Sequence, residues 1–391
     1  MTEQITRVVV IGGGYAGVLA ANRLRMRPDI DLTLVNPRAS FVERIRLHQL
    51  ITGSDDAVVD YGTVLGAGIR LVVDTATRID PAARTVALAT GDTLDYDYLI
   101  YAAGSTGWTP SVPGAAEFAY PIADLEHAER LRDALDGLPP SAPVTVVGGG
   151  LTGIETAAEL AEQGCSITLV CGAVLAPSLS AAGRRSVAKR LAKLGVRVLD
   201  GPVATVGRVT EDAVFLADST ELPSVVTIWT AGFGVPDLAT RSGLTTDAMG
   251  RLRTDETLTS VDDARIVAAG DAAAPSGQPL RMSCQAALPL GAQAANTVLS
   301  RIAGVEPAVV NQAFTGQCIS LGRDAGTIQL AHTDDTPRRL FIGGRAAALV
   351  KETVCKATIT VLTREARKPG SYRWLKGGSR PEQPQLTDAV S

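Results

Sequence analysis

Two glycine-rich turns, 136 residues apart, constrain the fold of this chain more than any other feature. Residues 7–24 read RVVVIGGGYAGVLAANRL, and residues 144–160 read VTVVGGGLTGIETAAEL. In each stretch a short apolar run leads through glycines into a segment with helical spacing, which is typical of a strand followed by a helix. The pattern predicts two successive units of the same kind.

The glycine spacing predicts what these units bind. Gly12 and Gly14 leave room for a tight turn and for backbone contact with a pyrophosphate, and Gly17 lets the helix pack close to the strand. The helix N-terminus then faces the phosphates, where its unpaired N–H groups favour negative charge. Gly148, Gly150 and Gly153 repeat the pattern. We therefore predict two bound dinucleotides.

Length and composition narrow the class of protein. A chain of 391 residues exceeds what one hydrophobic core usually covers, so two or three domains are expected. Five cysteines without a CxxC pair indicate neither a metal site nor a disulfide framework. No signal segment or run of 18 apolar residues occurs. A cytoplasmic protein is expected, with no nucleic-acid partner.

Short strands and turns follow the first unit. Asp31–Val35 is predicted to be its second strand, which ends at Asn36, where a ribose ligand usually sits. An acid is usual there, but an amide can still pair with the ribose. Phe41–Gly53 has helical spacing, and Arg70–Tyr101 contains three runs that predict a small antiparallel meander. Residues 105–121 are predicted to be a linker.

Further small-residue motifs end three apolar runs: Ala102-Ala103-Gly104, Trp229-Thr230-Ala231-Gly232 and Ala269-Gly270-Asp271. The second mirrors the first, so the repeat extends beyond the glycines. Asp271 follows a buried strand, where its carboxylate either binds sugar-like hydroxyls or caps the next helix.

Together these motifs resemble the flavoprotein reductases that bind two dinucleotides, and within them the type II NADH dehydrogenases and quinone reductases similar to apoptosis-inducing factor. Leu47-His48-Gln49, Gly153-Ile154-Glu155 and Cys284-Gln285-Ala286-Ala287 carry the closer similarity, with Gly344 followed by Lys351. The resemblance implies an α/β protein with two Rossmann-like domains. An FAD domain (residues 1–115 and 255–336) would contain an inserted NAD(P)H domain (116–254), and a basic segment (337–391) would follow.

The resemblance also implies FAD and either NADH or NADPH as cofactors, with particular residues at the site. Glu155 and Gln285 would flank the flavin ring, Lys351 would lie against it, and Asp271 would contact the ribityl chain. The residues implied to bind the two cofactors are Gly12, Gly13, Gly14, Tyr15, Ala16, Gly17, Asn36, Arg38, Arg44, Ala76, Ala103, Gly104, Gly148, Gly150, Leu151, Thr152, Gly153, Gly232, Gly270, Asp271 and Ala287.

The residues alone leave two of these roles open. Glu155 lies in the first turns of a predicted helix, where a carboxylate is electrostatically favoured whether or not it reacts. Lys351 is equally consistent with one surface charge of a basic helix. The three histidines, His48, His127 and His332, include no evident catalytic base beside an acid, so they are expected to be structural.

The predicted activity is transfer of hydride from NAD(P)H to FAD and of two electrons to a quinone. Thiol–disulfide exchange is excluded because residues 36–53 contain no cysteine pair. The alternatives are a reductase of a ferredoxin-like carrier and a flavoprotein that senses redox state. Cys171 ends the second strand of the second unit in place of the acid that would repel a 2′-phosphate, which predicts weak discrimination between NADH and NADPH.

The basic charge lies near the C-terminus. Residues 337–380 contain 11 Lys and Arg against two Glu, although the whole chain has a net charge of −4. Arg345–Lys368 mixes basic and apolar residues, so it predicts either a helix packed on the FAD domain or a peripheral contact with an anionic membrane. Monomer and homodimer both stay open.

Overall fold

The computed structural model describes residues 5–107 and 110–378. The predicted segments that include residues 1–4, 108–109 and 379–391 extend outside this range. The α-helices of the described residues are α1 (Tyr15–Leu24), α2 (Leu47–Leu50), α3 (Tyr61–Val64), α4 (Ala115–Phe118), α5 (Leu125–Leu135), α6 (Leu151–Glu162), α7 (Ala181–Lys193), α8 (Leu238–Arg241), α9 (Cys284–Ile302) and α10 (Gly344–Arg367).

The strands of the same residues are β1 (Thr6–Ile11), β2 (Ile30–Asn36), β3 (Ser40–Val42), β4 (Val58–Asp60), β5 (Ile69–Val73), β6 (Ala76–Asp80), β7 (Thr85–Leu88), β8 (Thr93–Asp95), β9 (Tyr98–Tyr101), β10 (Thr106–Gly107), β11 (Ala119–Pro121), β12 (Pro143–Val147), β13 (Ser166–Val170), β14 (Arg197–Leu199), β15 (Val206–Val209), β16 (Ala213–Leu216), β17 (Glu221–Pro223), β18 (Val226–Trp229), β19 (Phe233–Gly234), β20 (Leu252–Thr254), β21 (Ile266–Ala268), β22 (Ala273–Pro275), β23 (Gly316–Ser320), β24 (Gly326–Ala331) and β25 (Pro337–Gly343).

A five-stranded parallel sheet forms the centre of the first unit. Its strand order is β21-β9-β1-β2-β5, and Ile11 pairs with Val35 and with Tyr101. Residues Val8–Ile11 are buried because helices and loops cover both faces of the sheet, which explains why the strand is a continuous apolar run. Helices α1 and α9 pack against each other on one face.

A second five-stranded parallel sheet repeats this arrangement in the order β11-β18-β12-β13-β14. Strand β12 pairs with β13 and β18 as β1 pairs with β2 and β9. The predicted α/β fold with two Rossmann-like units is therefore confirmed. In both sheets the glycine turn follows the central strand.

Each parallel sheet has a three-stranded antiparallel companion, β6-β7-β8 in the first unit and β15-β16-β17 in the second. The predicted meander within Arg70–Tyr101 is present as β6 to β8, but the assignment of its first run was wrong. That run divides at Asp74, and its first half, β5, is the edge strand of the parallel sheet. Apolar and polar residues alternate too weakly in this run for the sequence to reveal that the strand ends at Asp74.

The prediction of helical structure across Phe41–Gly53 was wrong for its first half. Ser40–Val42 pairs with Val58–Asp60 as an antiparallel ribbon, a 3₁₀ turn covers Arg44–Arg46, and only Leu47–Leu50 is α-helical. Phe41 is buried against Tyr15 and Tyr61, so tertiary packing overrides the helical spacing.

The segment predicted as a linker at residues 105–121 contains short ordered elements. β10 pairs antiparallel with β19, so the two chain segments that connect the first parallel sheet with the second lie side by side. β11 then enters the second sheet beside β18.

A third three-stranded antiparallel sheet, β23-β24-β25, leads into the 24-residue helix α10. The predicted helix at Arg345–Lys368 is thus present, and it packs on α1 and on β24. Its buried positions include Ala347, Cys355 and Leu362, whereas Leu349 and Val354 are exposed. The packing alternative is therefore confirmed for one face of this helix.

Candidate active site

The first glycine loop has the geometry that its sequence predicts. Gly12 has φ +101°, and a Cβ placed there would lie 2.2 Å from the carbonyl O of Ala102. A Cβ on Gly17 would lie 1.8 Å from the carbonyl O of Gly12, while a Cβ on Gly14 would meet no atom within 4 Å. Glycine is therefore required at the two crowded positions. Open space lies beside the third.

The second loop shows the same three conditions. Gly148 has φ +129°, and its Cβ would lie 2.3 Å from Thr230 Oγ1. A Cβ on Gly153 would lie 2.0 Å from the carbonyl O of Gly148, and Gly150 again faces open space. Leu151 and Thr152 form the first turn of α6 beside that space.

Both loops end at a helix N-terminus whose N–H groups are left for a ligand. The N-cap residues of α1 and α6 are Gly14 and Gly150, which offer no side-chain cap, and neither helix has an acid in its first turn. By contrast, side-chain oxygens of Asp124, Ser180 and Ser283 cap α5, α7 and α9. Uncapped N–H groups beside open space fit the diphosphates of FAD and of a nicotinamide dinucleotide.

Asn36 stabilises the first loop directly. Its Oδ1 accepts from Gly13 N at 2.9 Å, and its Nδ2 donates to the carbonyl O of Arg38 at 2.9 Å. Tyr61 donates from its hydroxyl to the carbonyl O of Gly13 at 2.8 Å. The Asn36 amide thus has two protein partners within the loop. Its predicted contact with a ribose stays a prediction.

Two predicted cofactor-binding arginines contact the second unit. Arg38 Nε donates to Glu126 Oε1 at 2.6 Å. Arg44 donates to the carbonyl O of Ala123 at 2.7 Å and to Ser105 Oγ at 2.8 Å. Both arginines therefore help to fix the orientation of the two units.

Asp271 lies at the end of this chain of contacts, because Ser105 donates from its hydroxyl to Asp271 Oδ2 at 2.6 Å. The predicted helix-capping alternative is not what the structure shows, since Asp271 lies inside the 3₁₀ turn Gly270–Ala272 and the next helix, α9, is capped by Ser283. The prediction that Asp271 contacts the ribityl chain stays a prediction.

The remaining predicted positions lie around the first loop and at the ends of strands. Gly270 has φ +72°, and its Cβ would lie 3.0 Å from Ala16 Cβ. Ala103 and Gly104 follow β9, and Gly232 follows β18. Tyr15 and Ala287 lie in the first turns of α1 and α9, and Ala76 begins β6.

Two of the three predicted catalytic residues form a buried ion pair. Lys351 Nζ lies 3.0 Å from Glu155 Oε1, and both side chains are almost fully buried. Ser320 N donates to the same carboxylate oxygen at 2.9 Å. His48 Nδ1 lies 3.8 Å from Glu155 Oε2, and His48 Nε2 lies 3.2 Å from Ser320 Oγ.

This arrangement corrects the expectation that no histidine has an acid beside it. The cluster of His48, Glu155, Ser320 and Lys351 is assembled from four distant segments of the chain. His48 was part of a motif that sequence analysis had singled out, but Ser320 was not, and no local spacing indicates it. His127 also lies beside an acid, because its Nδ1 is 2.5 Å from Asp124 Oδ1.

Burial and mutual charge set the protonation of the cluster. Burial opposes ionisation of Glu155, but the charge of Lys351 and the hydrogen bond from Ser320 N lower the pKa of the carboxyl. Burial likewise disfavours the charged form of Lys351, while Glu155 raises its pKa well above the usual value. Burial lowers the pKa of His48 to about 4. At neutral pH the cluster therefore contains a carboxylate, an ammonium and a neutral imidazole.

A cavity of about 240 Å³ opens beside this cluster. Gln49, Ser320 and Lys351 line it together with Arg323 and Leu349. A small molecule bound in it would lie beside the ammonium of Lys351, which can donate a hydrogen bond.

Gln285 lies at the N-terminus of α9, apart from this ion pair. With its amide oxygen accepting from Thr315 N at 3.2 Å, its nitrogen donates to the carbonyl O of Gly316 at 3.1 Å. In the described residues, no hydrogen bond joins it to Glu155 or Lys351. Its neighbour Cys284 lies within electrostatic reach of Lys351, which partly offsets the rise in the thiol pKa that burial causes.

A known protein family matches the part of the chain that contains both glycine loops. The family model described as pyridine nucleotide-disulphide oxidoreductase matches residues 6–291. The chain belongs to this family. Its residues 36–53 contain no cysteine, and the exclusion of thiol–disulfide exchange stays a prediction.

Curated relatives and a solved structure extend the match to the C-terminal part. An NADH dehydrogenase-like protein of Mycobacterium tuberculosis is 29% identical over 387 residues, which cover 90% of this chain and 93% of that protein. The type II NADH:quinone oxidoreductase of the same organism is 28% identical and covers 77% of this chain and 74% of that protein. The fold of the sulfide:quinone oxidoreductase of Aquifex aeolicus matches with a TM-score of 0.78 at 21% identity, covering 92% of both chains.

Proposed function

We propose that the protein is an FAD-dependent oxidoreductase that takes hydride from NADH or NADPH and passes two electrons to a quinone. The observation that carries this proposal is the pair of uncapped glycine loops together with the Lys351–Glu155 ion pair, whose lysine lines a cavity. The family and the quinone-reducing relatives support it. FAD, when bound, supplies the hydride acceptor and the electron donor of the two half-reactions.

The chain's own residues would bind and orient the reactants. The loop at Gly12–Gly17 would bind the diphosphate of FAD, and the loop at Gly148–Gly153 that of the nicotinamide dinucleotide. In the cavity, the ammonium of Lys351 would donate a hydrogen bond to a quinone carbonyl, which strengthens as negative charge develops on that oxygen. Glu155 would keep the proton at Lys351 Nζ and stabilise the ammonium between turnovers.

The quinone proposal is tested by separating the half-reactions in a stopped-flow instrument. The purified protein should be yellow from FAD, NADH or NADPH should bleach it, and a quinone panel should restore the oxidised spectrum faster than a ferredoxin does. Reoxidation by ferredoxin alone would instead assign the protein as a reductase of an electron carrier. A flavin that no acceptor reoxidises would indicate redox sensing.

The proposal includes the division of the chain into domains. Residues 1–115 and 255–336 would form the FAD domain, 116–254 the inserted NAD(P)H domain, and 337–391 the basic C-terminal segment. Limited proteolysis should cleave first near these boundaries. The boundary between residues 336 and 337 is the most demanding test, because the strands on its two sides, β24 and β25, pair with each other.

We also propose that the C-terminal segment contacts the surface of an anionic membrane. The part of the chain that the structure describes contains no helix that could span a membrane. A group that we call the C-terminal apolar face is nevertheless exposed on β25 and α10, with Leu349 71% and Leu340 67% accessible. Its members are Leu340, Ile342, Leu349, Val350 and Val354.

Basic residues flank this face, among them Arg338, Arg339 and Arg345. An apolar face with basic flanks binds anionic membranes by burial and charge together. Vesicles with anionic lipid should sediment the protein at low salt, and Leu349→Glu should weaken this binding. Val305→Glu, at an exposed valine elsewhere, is the control. Absence of sedimentation would refute the contact.

A cytoplasmic location and a homodimer remain predictions. Cell fractionation and light scattering measure them directly.

A further inference from the structure

The adenosine end of the second glycine loop is bounded by three strand ends at one edge of the second sheet. Gly148 N donates to the carbonyl O of Val170 at 2.8 Å, and Cys171 N donates to the carbonyl O of Leu199 at 2.8 Å. The carboxyl ends of β12, β13 and β14 therefore lie side by side. Ligands of open α/β sheets bind at this edge.

Cys171 occupies the position where an acid would bind the ribose, and it carries no charge there. A Cβ on Gly149 would lie 2.7 Å from Cys171 Cβ, so the cysteine packs directly against the glycine loop. Burial, with a contribution from Asp200, raises the pKa of its thiol to about 12. Cys171 itself therefore neither repels a phosphate nor accepts a strong hydrogen bond from a ribose hydroxyl.

Asp200 brings a carboxylate to the same place from the neighbouring strand. It directly follows β14, and the next residue, Gly201, donates its N–H to the carbonyl O atoms of Gly172 at 3.0 Å and Ala173 at 3.1 Å. These bonds hold the loop after β14 against the loop after β13. Asp200 is exposed, and its charge acts on Cys171.

We infer that Asp200 determines the preference for NADH over NADPH, in place of the acid absent from position 171. Its carboxylate would accept a hydrogen bond from the 2′-hydroxyl of the adenosine ribose. It would repel the 2′-phosphate of NADPH, because a phosphate monoester carries a charge of about −1.5 to −2 at pH 7. The inference rests on the proposed binding of a nicotinamide dinucleotide at this loop.

The repulsion acts through solvent, so a preference of about tenfold is expected, which corresponds to about 1.4 kcal/mol. This lies within the weak discrimination that Cys171 predicts. Arg184 and Arg185, near the start of α7, are the nearest arginines that follow β13 in the sequence. Asp200, by contrast, lies in the loop after β14, which Gly201 N bonds to the loop after β13.

Equilibrium binding of NAD⁺ and NADP⁺ to the oxidised, FAD-loaded protein tests the inference by calorimetry, without turnover. The wild-type protein should bind NAD⁺ about tenfold more tightly. Asp200→Asn should tighten NADP⁺ binding about tenfold and change NAD⁺ binding by less than about threefold. Asp133→Asn, which removes an exposed carboxylate from α5 of the same unit, is the matched control and should change neither.

Ionic strength gives a second readout that a structural effect would not produce. Added salt screens the repulsion between Asp200 and the 2′-phosphate, which is present only in the wild-type protein. Salt should therefore weaken NADP⁺ binding less in the wild-type protein than in Asp200→Asn. An unchanged ratio of NADP⁺ to NAD⁺ affinity in Asp200→Asn, with normal FAD content, would overturn the inference. If neither nucleotide binds the wild-type protein, the proposed function fails instead.

Discussion

The Lys351–Glu155 ion pair is the residue contact on which the proposed chemistry depends most. We expect Glu155→Gln to slow quinone-driven reoxidation about 10²-fold, because the ammonium at Lys351 loses the carboxylate that keeps it protonated and in place. Flavin reduction by NADH and reoxidation by quinone, measured separately, locate the defect. Wild-type rates in both steps would show that Glu155 has no part in turnover.

Gln285 offers a contrasting change, because it lies on α9 and bonds to the start of β23. Among the described residues, Gln285 does not line the cavity beside Lys351, so the contact with quinone that the resemblance implies for it is a separate one beside the flavin ring. If that contact exists, Gln285→Ala should raise the quinone KM while the rate of flavin reduction stays the same, since only a uniform binding contact is lost. Steady-state kinetics at varied quinone, combined with single-turnover flavin reduction, check this. A fall in the flavin-reduction rate would contradict it.

His48 predicts how stability depends on pH. Its pKa is about 4 in the folded protein and about 6.5 when unfolded, so below pH 6.5 the unfolded chain binds a proton that the folded protein excludes. The stability from this site is complete above pH 6.5, and about 3 kcal/mol is lost between pH 6.5 and 4.

Urea unfolding of the wild-type protein and of His48→Gln at several pH values measures the effect. The variant should lose less stability across this pH range, whatever its stability at pH 7. Equal slopes in the two proteins would show that His48 is not held neutral by the fold.

At this scale sequence reasoning succeeded where the constraint is local. The crowding around Gly12 and Gly17 follows from a turn only a few residues long, so the spacing of glycines reveals it. The position of Ser320 beside Glu155 depends on two elements 165 residues apart. No periodicity carries that information, and the same holds for the engagement of Arg38 with Glu126.

Among the elements, the packing of α1 on α9 positions the first glycine loop. A Cβ on Gly291 would lie 2.2 Å from the carbonyl O of Ala16 and 2.8 Å from Ala16 Cα. We expect Gly291→Ala to destabilise the protein by about 1–3 kcal/mol and to lower its FAD content, because α9 must move away from the turn that follows Gly14.

Gly207→Ala is the matched control, since a Cβ there meets its nearest atom, the carbonyl O of Leu216, at an ordinary 3.5 Å. Urea midpoints and the flavin-to-protein absorbance ratio measure both variants. Full FAD loading of Gly291→Ala with unchanged stability would contradict the proposed role of this contact.

Element types were predictable where a segment obeys one periodicity throughout. Asp31–Val35 lies within strand β2 as predicted, and the helix predicted at Arg345–Lys368 is α10. Residues 41–53 show the opposite case, because a buried aromatic group at Phe41 selects a β-ribbon from a sequence with helical spacing. Tertiary packing determines the secondary structure of that segment, so the local sequence alone could not predict it.

At the scale of the whole molecule, a buried carboxylate helps to bind the C-terminal segment back to the first unit. Glu365, at the end of α10, is fully buried and accepts hydrogen bonds from Arg23 Nη1, Gly370 N, Ser371 Oγ and Tyr372 N at 2.6–3.1 Å. Arg23 belongs to α1. The same helix that contributes Lys351 to the cluster is thereby fastened to the helix that follows the first glycine loop.

We expect Glu365→Gln to lower the free energy of unfolding by about 3–5 kcal/mol, because an amide turns one acceptor into a donor and leaves the buried Arg23 without its counter-charge. Glu306→Gln, at an exposed glutamate, should change it by less than about 0.5 kcal/mol. Urea unfolding measures both, and limited trypsin digestion should cleave the variant sooner after Arg367 or Arg373. If Glu365→Gln unfolds at the wild-type midpoint with unchanged cleavage, the attachment depends on the apolar contacts of α10 and not on this carboxylate.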